Sequence, residues 1–152
     1  MRSALVVLLA SLVIAPVASA RIDNTARLQM VWPASGTVTS RFGEWRGNHR
    51  HDGIDIGMLK TLRLRAVSAG VVRRTGYVDG YAGYGKVVLL KLPGGYTALY
   101  AHLSNVGVKP GQRVKKGQRL GLAGCTGSCS GTHLHFEVRR AGRSVNPLRF
   151  LG

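Results

Sequence analysis

Glycine recurs so often from Trp32 onward that no stretch of this chain keeps a helical period for ten residues. The chain has 21 glycines in 152 residues, and the runs between them are short, β-branched and apolar. Glycine weakens the interior of a helix or strand but accepts the backbone angles of tight turns. The spacing therefore predicts many short strands joined by compact loops. Residues 38–42, 70–76, 86–92, 96–103 and 133–139 read as strands. The pair 86–92 and 96–103 flanks Pro93-Gly94-Gly95, which predicts a hairpin. Residues 108–114 and 114–120 repeat the unit V-K-x-G-Q-R-apolar, which predicts two similar turn-and-strand crossings. The expected fold is all-β: one small domain of antiparallel sheets, of the groove or barrel-sandwich type. Apolar residues make up 45% of the chain and charged residues 18%, which excludes a disordered chain.

The N-terminus restricts where such a domain works. Met1-Arg2 precedes an apolar run to Val17, and Ala18-Ser19-Ala20 has the small-residue form of a cleavage site. The run is short for a hydrocarbon core that needs about 20 residues. Residues 1–20 therefore read as a secretory signal, 21–31 as a polar lead-in and 32–152 as the folded domain. The expectation is export to a periplasm or outside the cell, with no permanent membrane anchor. The formal net charge is +16, which calls for an anionic partner. Export disfavours nucleic acid and favours an anionic cell envelope. Lys109, Arg113, Lys115, Lys116 and Arg119 concentrate charge in the repeated unit, either as a solvated loop or as a contact for an anionic polymer.

Cys125 and Cys129 are the only cysteines. Three residues, with Gly127 among them, can bring the two Cα atoms within disulfide range, and an oxidising compartment permits the bond. The rival reading, a metal pair, lacks further soft ligands. Residues 80–86 have the spacing G-x-x-x-x-G-K, but Val87 follows where a phosphate loop needs a hydroxyl, and a strand follows where it needs a helix.

Four of the five histidines fall in patterns. His51-Asp52-Gly53-Ile54-Asp55 spaces an imidazole and a carboxylate four residues apart, a common zinc pairing. His133-Leu134-His135 puts two imidazoles on one strand face, with Leu134 and Phe136 on the other. Glu137 shares the histidine face, either orienting one ring or forming a surface salt bridge to an arginine. Tyr100-Ala101-His102 would put two rings on one strand face. Tyr100 then either lines the same site or is an ordinary strand aromatic.

In order and spacing, H-x-G-x-D at 51–55, Y-A-H-L at 100–103 and G-T-H-L-H-F-E at 131–137 resemble the LytM/lysostaphin-type zinc metalloendopeptidases of bacterial cell walls. Trp32-Pro33, Ser40-Arg41-Phe42-Gly43, Gly83-Tyr84-Gly85 and Asn146-Pro147-Leu148 frame the resemblance. It implies the duplicated hybrid motif fold and an endopeptidase acting on peptidoglycan cross-links; the oligomeric state is not fixed by the sequence, and a monomer is the expectation. It implies Zn2+ on His51, Asp55 and His135, with His102 and His133 as catalytic histidines that do not hold metal. Which of these two is the base stays open. Cys125 and Cys129 stand where the family usually has hydroxyl residues, Thr132 where proline is common and Lys86 where asparagine is common. The alternative is a member of the same fold that binds wall, or activates another wall hydrolase, without catalysis.

Overall fold

The structure, a computed structural model, describes residues 28–152. The signal reading of residues 1–20 and most of the lead-in lie outside the described residues. The described chain forms β1 (Thr37–Ser40), β2 (Ile54–Gly57), β3 (Arg63–Arg65), β4 (Gly70–Gly76), β5 (Val87–Lys91), β6 (Tyr96–Ala101), β7 (Leu103–Val106), β8 (Arg113–Val114), β9 (Arg119–Ala123), β10 (Leu134–Arg140) and β11 (Arg143–Val145), with three single 3-10 turns. The all-β expectation holds. The larger sheet runs β1-β2-β10-β6-β5-β4-β8, with β11 paired to β10. The smaller runs β3-β9-β7. Every pairing is antiparallel, and the sheets do not close into a barrel.

Turn chemistry explains the joints. Gly94 and Gly95 have φ of 69° and 76° between β5 and β6, a conformation that side chains resist. The repeated unit does make two like turns. Gln112 accepts from the Lys109 backbone N–H at 3.1 Å, and Gln118 from that of Lys115 at 2.9 Å.

Strand alternation sorts the faces of the larger sheet. Ile54, Ile56, Leu134, Phe136 and Val138 enter the main core, which also takes Leu64, Leu103 and Leu120 from the smaller sheet and its surroundings. Burial of such aliphatic side chains, worth about 1.5–3 kcal/mol each, holds the layers together. The opposite face carries a smaller cluster of Val87, Leu89, Leu99 and Ala101, covered by Val78, Tyr81 and Tyr84. Asp55, His135 and Glu137 alternate with the core residues and so point to this second face.

Candidate metal centre and active-site cleft

Register brings distant residues together. Asp55 on β2 lies directly across from His135 on β10, and His135 lies across from Ala101 on β6. His51 precedes β2 in a loop that folds back on itself, with its N–H donating to Glu44 O at 2.8 Å and its C=O accepting from Gly43 N–H at 2.8 Å. The result is a tight triangle. His51 Nε2 lies 3.0 Å from His135 Nδ1 and 3.2 Å from Asp55 Oδ1, and His135 Nδ1 lies 2.9 Å from Asp55 Oδ1.

The outer hydrogen bonds decide what those three atoms are. His51 Nδ1 faces Arg41 O at 2.9 Å, so it carries the proton and leaves Nε2 as a lone pair. His135 Nε2 faces the Glu137 Oε1 carboxylate at 3.0 Å, so Nδ1 is its lone pair. Two lone pairs and a carboxylate oxygen then converge with no proton among them. Such a set repels itself unless a cation sits at its centre. Tetrahedral zinc, with bonds of about 2.0–2.1 Å, needs donors roughly 3.4 Å apart. The donor set and its spacing fit zinc, and three protein ligands leave a fourth position for water or substrate.

Above this triangle lies a cleft of about 550 Å³, lined among others by Arg46, His49, His102, Ser128, Cys129 and His133. His133 Nε2 reaches to 3.8 Å from Asp55 Oδ1. The His102 and His133 rings lie 4.7 Å apart, and His102 and His135 6.1 Å.

Residues 49–147 match the family model described as Peptidase family M23. The chain belongs to peptidase family M23. Murein hydrolase activator NlpD of Escherichia coli (strain K12) is 40% identical over 120 residues, which are 79% of this chain and 30% of that protein. A solved zinc containing peptidase from Vibrio cholerae superposes with a TM-score of 0.67 at 30% identity, over 78% of this chain and 37% of that one. The solution structure of lysostaphin gives 0.68 at 26% identity, over 84% and 56%. This M23 chain thus has the LytM/lysostaphin-type fold, and it spans about 20–39% of the length of the curated relatives it matches.

Beneath its metal triangle the M23 chain builds a buried polar layer. Glu137 has no exposed surface. Its Oε1 accepts from Tyr84 O–H at 2.7 Å as well as from His135, and its Oε2 accepts from Arg139 Nε–H at 2.6 Å. Arg139 also donates to Tyr81 Oη at 3.1 Å. Burial alone would push the Glu137 carboxyl up, but the bonds from His135, Arg139 and Tyr84 outweigh it and hold the pKa below the usual value. The Tyr84 hydroxyl is pushed up by burial and by the Glu137 charge, so it keeps its proton. Burial likewise opposes ionisation of Asp55, yet the His135 and His51 rings and the Arg46 guanidinium around it outweigh that and hold it well below the ordinary range. For His135, burial disfavours a proton, but the Asp55 and Glu137 carboxylates outweigh it and raise the pKa. A proton and a metal ion therefore compete for one lone pair.

The M23 fold corrects one expectation and adds residues. Tyr100 does not line the cleft. It is fully buried in the main core, packs edge-on to Phe136 at 5.2 Å and accepts from Val67 N–H at 2.9 Å. Tyr100 and His102 do not share a face because β6 ends at Ala101 and His102 has φ 63°. That left-handed residue breaks the period of two and turns its ring to the cleft. Arg46 was not evident in sequence. It donates to Asp55 Oδ2 at 2.7 Å and to Ser40 Oγ at 2.7 Å, fixing the carboxylate from outside. Tyr84 stood only in a framing motif. Arg139 was findable, because it lies two residues beyond Glu137 on the same strand face. Glu137 does pair with an arginine, in the interior and not at the surface. Cys125 and Cys129 form a disulfide, with Cα atoms 5.3 Å apart.

Proposed function

We propose that this M23 chain is an exported, zinc-dependent endopeptidase that hydrolyses the peptide cross-links of bacterial peptidoglycan. The observation that carries the reading is the convergence of His51, Asp55 and His135 lone pairs beneath two further histidines that make no bond to that triangle's centre. Zinc, when bound there, polarises a scissile carbonyl and makes a water acidic. The chain's own residues supply proton handling and orientation. His102 Nδ1 donates to Thr126 O at 2.7 Å, which leaves Nε2 free to accept a proton. Burial lowers the His102 pKa, helped by His133 and His135 nearby, so it is neutral and fit to be the general base. His133 is the more exposed of the two, with Nε2 3.8 Å from Asp55 Oδ1. Its Nε2 faces the cleft, and a proton passed to it during the reaction is available to the oxyanion or to the leaving amine. Glu137 and Arg46 orient His135 and Asp55. The signal-like N-terminus and the charge of +16 support an exported protein that meets an anionic wall.

The second reading is an activator of another murein hydrolase, favoured by the name of the NlpD relative. Digestion of purified cross-linked peptidoglycan by the zinc-loaded chain alone separates the two. The peptidase reading expects muropeptide release that a chelator abolishes. The activator reading expects none unless a second murein hydrolase is added.

A further inference from the structure

His102 and His133 both turn Nδ1 to a backbone carbonyl, and both carbonyls belong to one loop. His102 Nδ1 lies 2.7 Å from Thr126 O, and His133 Nδ1 lies 2.7 Å from Gly131 O. A neutral imidazole has one N–H, and a carbonyl accepting at Nδ1 leaves Nε2 as the lone pair. These two carbonyls therefore choose the tautomer of both rings. The loop that supplies them, residues 124–131, reads Gly-Cys-Thr-Gly-Ser-Cys-Ser-Gly and has no large apolar side chain to anchor it by burial.

What holds the loop is a covalent ring on a backbone-to-backbone contact. The Cys125–Cys129 disulfide encloses Thr126. Thr126 Oγ1 accepts from Lys86 N–H at 3.0 Å and donates to Leu103 O, on the residue after His102, at 2.9 Å. Ser128 N–H donates to Gly83 O at 2.9 Å. Gly127, at φ 75°, packs so closely on Gly83 and Gly85 that a Cβ there would collide with their backbone atoms. At the far end His133 N–H donates to Gly124 O at 3.2 Å, and Cys129 Sγ lies 3.7 Å from His133 Nδ1. The ring thus contains the Thr126 carbonyl and closes two residues before the Gly131 carbonyl.

We propose that the Cys125–Cys129 ring is a positioning element that holds the Thr126 and Gly131 carbonyls so that His102 and His133 are both fixed as Nδ1–H tautomers. This rests on the reading of those histidines as the proton-handling pair. The test uses the full chain loaded with zinc, as parent and as Cys125→Ser/Cys129→Ser. Ring nitrogen–proton NMR correlations report the tautomers with no need for activity. The parent should show Nδ1–H rings at both positions, and the variant should show mixed or averaged tautomers. In wall digestion the variant's kcat should fall about tenfold or more, the scale of losing an outer hydrogen-bonding partner, with KM and zinc content unchanged. If the variant does not fold, a phosphine applied to the folded parent gives the same comparison. It takes the S–S bond to two thiols, with water supplying both protons and the oxygen that ends on phosphorus, and reoxidation by oxidised glutathione, which leaves as two glutathione thiols, should restore both signals and rate. A variant or reduced parent that keeps both tautomers overturns the proposal, whatever its rate. Shifted tautomers in a chain that never cleaves wall would uphold the positioning role and sink the peptidase reading instead.

Discussion

Glu137→Gln is the most informative single change beneath the metal triangle. The wild-type carboxylate accepts three hydrogen bonds with no exposed surface: His135 at 3.0 Å, Tyr84 at 2.7 Å and Arg139 at 2.6 Å. Glutamine keeps the shape but has one acceptor oxygen. If that oxygen faces His135 and Tyr84, the new NH2 meets the Arg139 Nε–H and leaves a half-buried cation unpaired. A hydrogen bond to a charged group contributes about 1.5–3 kcal/mol, so the chelated protein should lose roughly 2–3 kcal/mol. His135 also becomes a less basic ligand, and loss of such a partner weakens metal binding by about 10–100-fold. That is roughly 1.4–2.7 kcal/mol of further stability lost when zinc is present. Urea unfolding with and without chelator, beside zinc competition, measures both parts. The sign with pH is fixed as well. The Glu137 pKa is lowered in the fold from the ordinary 4.5, so its contribution is complete above that value and disappears as pH falls through the folded value. Parent and variant should therefore converge in acid. A stability difference below about 0.5 kcal/mol at pH 7 with unchanged zinc affinity, or a gap that persists in acid, would refute the reasoning.

Asp55→Ala and His135→Ala should each lose zinc, since each removes one of three protein ligands, and full metal retention by elemental analysis would remove the ligand assignment. His102→Ala and His133→Ala should keep zinc while kcat falls by about 10²–10⁴-fold, read from muropeptide release at matched zinc content. Burial lowers the His102 pKa from 6.5, so in zinc-saturated protein the acid limb of kcat/KM should lie below 6.5; a limb above it contradicts the base assignment. Sacculus binding should weaken as salt rises from low to physiological strength, where screening acts over about 8 Å, and salt-independent pull-down would deny the cations that role.

The strands and the face of each site residue were legible wherever alternation ran unbroken. On β10 the period of two places Leu134 and Phe136 in the core, and His135 and Glu137 opposite them, as the sequence implies. Tyr100 is the strand aromatic that one of its two readings expects, but its shared face with His102 fails because the period of two ends with β6, where His102 takes a left-handed backbone that no local pattern announces. Arg46 was hidden for a different reason. It acts from a loop between β1 and β2, nine residues from Asp55, and loops have no period to read. The two site-fixing carbonyls, Thr126 O and Gly131 O, were also out of reach, because main-chain acceptors have no residue signature. The cysteines drew notice by composition, but their link to His102 is visible only once β6 and the 124–131 loop are side by side.

In the proposed reaction this chain itself breaks peptide bonds in the wall, with His102 as base. It is tested most directly by mass spectrometry of cross-linked peptidoglycan after incubation with zinc-loaded parent or His102→Ala at equal zinc content. In the parent sample cross-linked peptides should give way to fragments with a new amine and a new carboxylate at the bridge, and with the variant they should remain intact. Bridges left intact by both, or cut equally by both, would contradict it.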